Sequence, residues 1–270
     1  MYIFLCEDSI DGIFTGIYDA WASRRGHANV ALTTHAPDNY SLFDEYITVR
    51  TDYEKSAKVA NTLHKRMGDE TYQEICQAAS AQENGSGKKF MDKADAIYKT
   101  VVLALSLPDA GKVLNYLAEP YVNRTFQLSR STGNEAHHLL GFLRFQELEN
   151  GLLFAQIHPK NDVLPFLGEH FSDRLPEENF MIYDKTHSLA ALHPKGKGFF
   201  ITDTEGLDRE MLTRFSPEEM EFCRLWCTFF DSIAIEARKN PKLQNQNLPR
   251  RFQRDVVEFN RDSPSKRSSS

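Results

Sequence analysis

The stretch Asn134–Phe145, NEAHHLLGFLRF, decides the reading of the fold. Its first half keeps a helical spacing. After Gly141 the pattern alternates, with Phe142, Arg144 and Gln146 set against Leu143, Phe145 and Glu147. A change of period from 3.6 to 2 is what a helix giving way to a strand requires. Around that junction stand Glu135, His137, His138 and Arg144, so an acid, two imidazoles and a guanidinium meet at the expected middle of the chain.

Upstream, Pro120 opens the helix that carries this stretch, and Arg124, Ser131, Glu135 and His138 share one of its faces. Helical patterns also cover Phe90–Ser106 and a shorter run from Pro108 to Ala118. Thr51 and Glu54 have capping-box spacing before a helix that Gly68-Asp69 breaks. The polar run QENGSGKK, residues 82–89, reads as a linker. The first fifty residues read as strand 2–6, a helix capped by Asp8 or Ser9, and strands at Asn29–Thr33 and Glu45–Val49.

Downstream, Glu149-Asn150-Gly151 signals a hairpin turn, with a return strand from Leu152 to His158. Asp162 is the expected cap of a helix reading VLPFLGEHFSDRL. Strands follow at Phe180–Asp184, Leu189–His193 and Phe199–Thr202. Ser216-Pro217-Glu218-Glu219 opens a helix bearing Met220, Cys223, Trp226, Cys227, Phe230, Ile233, Ile235 and Ala237, expected to be buried against the sheet. Asn240-Pro241 is the expected end of that helix, before a polar loop and a short helix. The fold class is α+β: a small N-terminal α/β unit, a helical middle, and a mainly antiparallel sheet packed by a C-terminal helix. The strand order is strand, strand, helix, strand, strand, strand. The expected divisions are 1–84 for the N-terminal α/β and helical segment, 85–260 for the main module, and 261–270 for a disordered tail.

A hydrophobic fraction of 41% and a charged fraction of 26% suit a globular chain able to bury a core. No apolar run is long enough to span a bilayer, and MYIFLCEDSIDG lacks the basic start of a signal peptide, so a cytoplasmic, non-membrane protein is expected. A net charge of -6 excludes a nucleic-acid footprint over the whole surface. The segment Arg238–Arg267 is nonetheless basic, with Arg250, Arg251, Arg254, Arg261, Lys266 and Arg267 available to phosphate. Cys223 and Cys227 lie four apart without a second ligand pair, so core packing is expected there and no metal or cofactor site.

Among high-specificity motifs the chain carries no P-loop, no HExxH and no nucleophile elbow. His158 and His193, each followed by Pro-Lys, read as strand-end residues, with a site role at a sheet edge as the alternative. What remains is Arg124, Arg130, Glu135, His137, His138 and Arg144, with His170, Arg174 and Asp184 as further members. In one reading the arginines hold a phosphate, while Glu135 and His137 serve as acid–base groups. In the other, Glu135 with Arg144, or Asp184 with Arg174, forms buried ion pairs that fix the helix–sheet junction.

The pattern E-x-H-x-x-x-G-F-x-R-F, formed by Glu135, His137, Gly141, Phe142, Arg144 and Phe145, resembles a bacterial family of DNA repair or DNA metabolism proteins. So do the following hairpin, His170-Phe171-x-x-Arg174, Asp184, and RKNPKLQNQNLPRRF. The resemblance spans roughly Lys88 to Phe252. It implies a module of unknown function, joined in some relatives to a uracil-DNA glycosylase and accompanying a radical-SAM protein. The expected role is therefore an accessory or DNA-binding partner of a radical-SAM protein, contacting DNA through Arg250, Arg251 and Arg254. The alternatives are an enzyme acting on a nucleotide or damaged base, and a scaffold whose polar cluster is structural.

Overall fold

The computed structural model describes residues 1–36, 40–83, 91–208, 210–233 and 240–259. The chain forms two compact units, Met1–Asn134 and Glu135–Ser270. The expected linker at 82–89 falls largely on residues 84–90, and the expected tail on 261–270; both lie outside the described residues, as do Ile235 and Ala237.

The first unit begins with strand β1 (Tyr2–Leu5), helix α1 (Ile10–Ala22), and strands β2 (Val30–Thr33) and β3 (Glu45–Thr48). The order is β2-β1-β3, and both pairings are parallel. Ser9 caps α1, its hydroxyl accepting the Gly12 amide at 3.0 Å. Helix α2 (Tyr53–Ala79) is capped by Asp52, which accepts from the amides of Glu54 and Lys55. Thr51 is thus not the cap: its hydroxyl donates to Glu7 at 2.5 Å. Gly68 breaks the helical backbone of α2 at φ 77°, a left-handed value that glycine adopts without steric penalty. Helix α3 (Lys93–Ser106) is capped by Asp92. Lys93 is buried, donating to the Ala81 carbonyl at 2.6 Å and paired with Asp8, which is how a buried ammonium is made tolerable.

Helix α4 runs Pro120–Phe142, past Gly141; strand β4 (Gln146–Glu147) follows, and Leu148 next to it makes an isolated antiparallel bridge to Phe215. In the second unit β4 leads to β5 (Leu153–Ile157), α5 (Leu164–Arg174), β6 (Phe180–Asp184), β7 (Leu189–His193) and β8 (Phe200–Asp203). The sheet order is β4-β5-β6-β7-β8. Three pairings are antiparallel, and β5–β6 is parallel because α5 crosses between them. Leu139, Ile157, Leu164, Leu167, Phe180, Ile182 and Phe252 form one core cluster. Leu148, Phe154, Met181, Tyr183 and Leu212 form a second. Val163, not Asp162, stands at the α5 cap position, with no side-chain cap and Pro165 in the first turn.

Helix α6 (Pro217–Ser232) departs from expectation. Its start is as read, with Ser216 accepting the Glu219 amide at 3.1 Å. Instead of packing as a buried helix against the sheet, it has no buried residue among those described, and Phe222, Leu225 and Phe229 are more than half exposed. Cys223 and Cys227 are half-buried rather than core residues. Residues 234–239, which lead to the expected end of this helix at Asn240, lie outside the described residues. Asn240 itself caps a further helix, α7 (Pro241–Asn247), before α8 (Arg250–Gln253).

Candidate functional site at the ends of β5 and β6

The polar groups of the second unit gather where its two parallel strands end. Ile157 and Asp184 are register partners at the ends of β5 and β6, and the Lys185 amide donates to the Ile157 carbonyl at 3.1 Å. The chain then supplies His158-Pro159-Lys160-Asn161-Asp162 on one side and Lys185-Thr186-His187 on the other. The carboxyl ends of parallel strands are where α/β sheets expose backbone donors to ligands or, as here, to side chains.

Glu135, from the last turns of α4, fills this space and is 2% exposed. Its Oε1 accepts the Lys160 amide at 3.0 Å. Its Oε2 accepts the Asn161 amide at 2.8 Å and the Asn161 side-chain amide at 2.7 Å. Arg251 on α8 reaches Oε1 at 3.4 Å with its own side chain half exposed. Asp184 repeats the device: fully buried, it accepts the amides of Thr186 and His187 and holds the His187 ring at 2.5 Å. That hydrogen bond, and beyond it the charges of Asp184, Asp162 and Glu135, raise the His187 pKa above the usual imidazole value. A third pair joins His158 Nδ1 to Asp255 at 2.7 Å. The other Asp255 oxygen, Oδ2, is buried without a hydrogen-bond partner. Asp255 lines a polar cavity of about 10 Å³, with Arg144, Gln146, Gln156 and Arg254, room for about one water.

Helix α8 lies over the cluster. Phe252 and Val256 are buried, and Phe252 stacks on the His138 ring at 5.9 Å with a 19° interplanar angle. Burial, followed by the neighbouring His137 and Arg251, lowers the His138 pKa, with Glu135 opposing. Arg250, Arg251 and Arg254 stay exposed, and the Arg251 guanidinium sits 4.5 Å from the Phe252 ring centroid.

The structure brings together only part of the set read from sequence. Glu135 and Arg251 meet. His137 is exposed, touches the His138 ring edge-on, and makes no hydrogen bond to Glu135, whose oxygens are taken by structural donors. That arrangement suits Glu135 to holding the fold rather than to moving protons. Arg144 is not its ion-pair partner: its guanidinium donates to the carbonyls of Gly141 and Leu143. Arg124 pairs with Glu83 in the first unit, and Arg130 is exposed above the Phe126 ring. Arg174 and His170 are exposed on α5, and Asp184 is paired with His187 rather than with Arg174. Arg250 is exposed at the first position of α8. The partners that sequence reasoning missed are Asn161, His187 and Asp255. Asn161 and His187 carry one visible signal, their position just after a strand; Asp255, just past α8, carries none.

Among the described residues, one further group has metal-ligand chemistry: His35, Glu83 and Asp92 in the first unit, whose ligand atoms lie within 4.8 Å of one another. Protein donors already occupy both carboxylates. Asp92 accepts from Thr33, Thr34 and the Ala94 amide, and Glu83 accepts from Arg124 and the Lys93 amide.

The second unit is thus an α+β module in which a basic helix is held over buried, clamped carboxylates. The chain belongs to the family of the domain of unknown function DUF4130, whose profile matches residues 91–258, more than half of its length. No curated protein matches it. Among the described residues no helix is long and apolar enough to cross a membrane.

Proposed function

We propose that this protein is a DNA-associated protein of DNA repair or metabolism that grips the nucleic-acid backbone through α8 and acts alongside a radical-SAM protein. The observation that supports the grip is the anchoring of α8. Phe252 within the helix and Val256 just after it are buried and fasten the segment, while Arg250, Arg251 and the C-cap Arg254 remain exposed. Guanidinium groups held on a fixed element make charge-assisted hydrogen bonds to phosphate with less ordering cost than the same groups on a free tail. The resemblance carried by Glu135, His137, Gly141, Phe142, Arg144 and Phe145 supports the DNA context and the radical-SAM partner.

The test is fluorescence anisotropy with labelled single- and double-stranded DNA across a salt series. Binding that weakens linearly in log–log form, and that weakens further in Arg250→Ala/Arg254→Ala, is the expected result. Absence of binding, or binding indifferent to salt, overturns the DNA reading. The radical-SAM association is tested separately, by co-purification of the two proteins.

A further inference from the structure

Phe222, Leu225, Trp226, Phe229 and Ile233 recur at three- and four-residue spacing, which places them on one stripe of α6 and the turn after it. They are 64%, 56%, 38%, 52% and 56% exposed. The helix is held to its own unit by another side, where the Gln146 side-chain amide donates to Cys223 Sγ at 3.3 Å and Cys223 donates to Glu219 at 3.0 Å. The stripe itself therefore faces water. Contiguous exposed apolar stripes of this size commonly mark interaction sites.

We infer that the stripe pairs with the same stripe of a second copy of this chain, antiparallel, about a twofold axis between Trp226 and Phe229. The spacing selects a second copy, the charges its direction, and the exposed area suffices for a pair. First, Phe222, Trp226, Phe229 and Ile233 are spaced four, three and four, a sequence that reads the same from either end. Antiparallel pairing then sets Trp226 of one copy against Phe229 of the other, and Phe222 against Ile233. Such self-complementarity is what a twofold interface demands. Second, the charges fix the direction. Glu218 and Glu219 crowd the first turn, so parallel helices would bring like charges together, whereas antiparallel helices keep the two acidic ends apart. Third, the area suffices. Large side chains about half exposed leave roughly 500 Å² per copy, or about 1,000 Å² for the pair, the size at which specific interfaces begin.

Sedimentation velocity and light scattering on the full chain test this. The expected result is a monomer–dimer equilibrium with half-association at about 10 µM. Trp226→Glu/Phe229→Glu is expected to be monomeric throughout, with an unchanged circular dichroism spectrum. Leu225→Lys, a milder change at the edge of the stripe, is expected to weaken dimerisation about tenfold or more. A wild-type chain that stays monomeric at about 100 µM overturns the inference. So does a dimer that survives the double substitution with its fold intact, or a stripe that is covered only when a different protein is added.

Discussion

Arg251 reaches the Glu135 carboxylate at 3.4 Å from a side chain that is half exposed, while the carboxylate itself is buried. The two partners therefore contribute unequally. Glu135 also accepts two backbone amides and the Asn161 side chain, whereas Arg251 has solvent available in place of its partner.

Glu135→Ala strands those donors in a buried site and is expected to cost about 3 kcal/mol or more. Arg251→Ala leaves them satisfied and is expected to cost less than about 1 kcal/mol. Urea denaturation of both variants measures the difference. Equal losses would mean that the ion pair, rather than the backbone clamp, holds the β5 end in place.

Two histidines of the cluster should give stability opposite pH slopes. The folded-state pKa of His187 is raised, above all by its hydrogen bond to Asp184. Its contribution is then fully present below the ordinary imidazole value of 6.5 and fades as pH rises through the folded value. The folded-state pKa of His138 is lowered, first by burial, so folding disfavours its protonation and stability is lost as pH falls below 6.5. Stability curves from pH 5 to 8 should show His187→Gln losing the acid-side gain and His138→Gln losing the acid-side penalty. Imidazole titrations by NMR should place the two values on opposite sides of the ordinary one.

If α8 meets phosphate, each arginine that contacts it releases about one counterion. Arg250→Ala and Arg254→Ala should then each lower the salt slope of DNA binding by about one. Arg174→Ala, on α5, should leave it unchanged. A slope that responds equally to all three would point to diffuse charge rather than to α8.

The thiols should differ in reactivity. Burial, reinforced by the charges of Asp92 and Asp19, pushes Cys6 up to about 12, and burial with the Glu219 hydrogen bond pushes Cys223 up to about 11. Native alkylation at pH 8 followed by mass spectrometry should find Cys6 and Cys223 modified slowly, and Cys6 modified readily once the protein is unfolded. Rapid labelling of native Cys6 would contradict its burial.

The local features of this fold were legible because local chemistry specifies them. Ser9, Ser216 and Pro120 mark helix starts, and Phe180–Asp184 and Leu189–His193 emerge as strands with the bounds read from sequence. The failures share a different cause. Gly141 reads as the end of the helix, and α4 ends one residue beyond it, at Phe142, without a left-handed backbone at Gly141. The apolar face of α6 reads as core because composition records that a surface is apolar, not what covers it. Glu135 was found by residue type, but its backbone partners Lys160 and Asn161 were not, since an amide looks the same at every position until the chain has folded. Asp255 is far from His158 in sequence, and nothing local announces that pair.

The parallel pairing of β5 with β6, set among the antiparallel pairings of the second unit's described sheet, also bears on the order in which that unit assembles. β6–β7 and β7–β8 join neighbours in the chain and close through short turns. β5 and β6 can pair only after α5 has formed and crossed between them, a loop closure whose entropy must be met before any ladder bond rewards it. The β6–β8 meander is thus the natural early template. Loop closure then predicts that β5 adds late, bringing His158, Lys160 and Asn161 to Glu135, so pulse-labelled hydrogen exchange should find the Lys160 and Asn161 amides protected after those of β6 and β7.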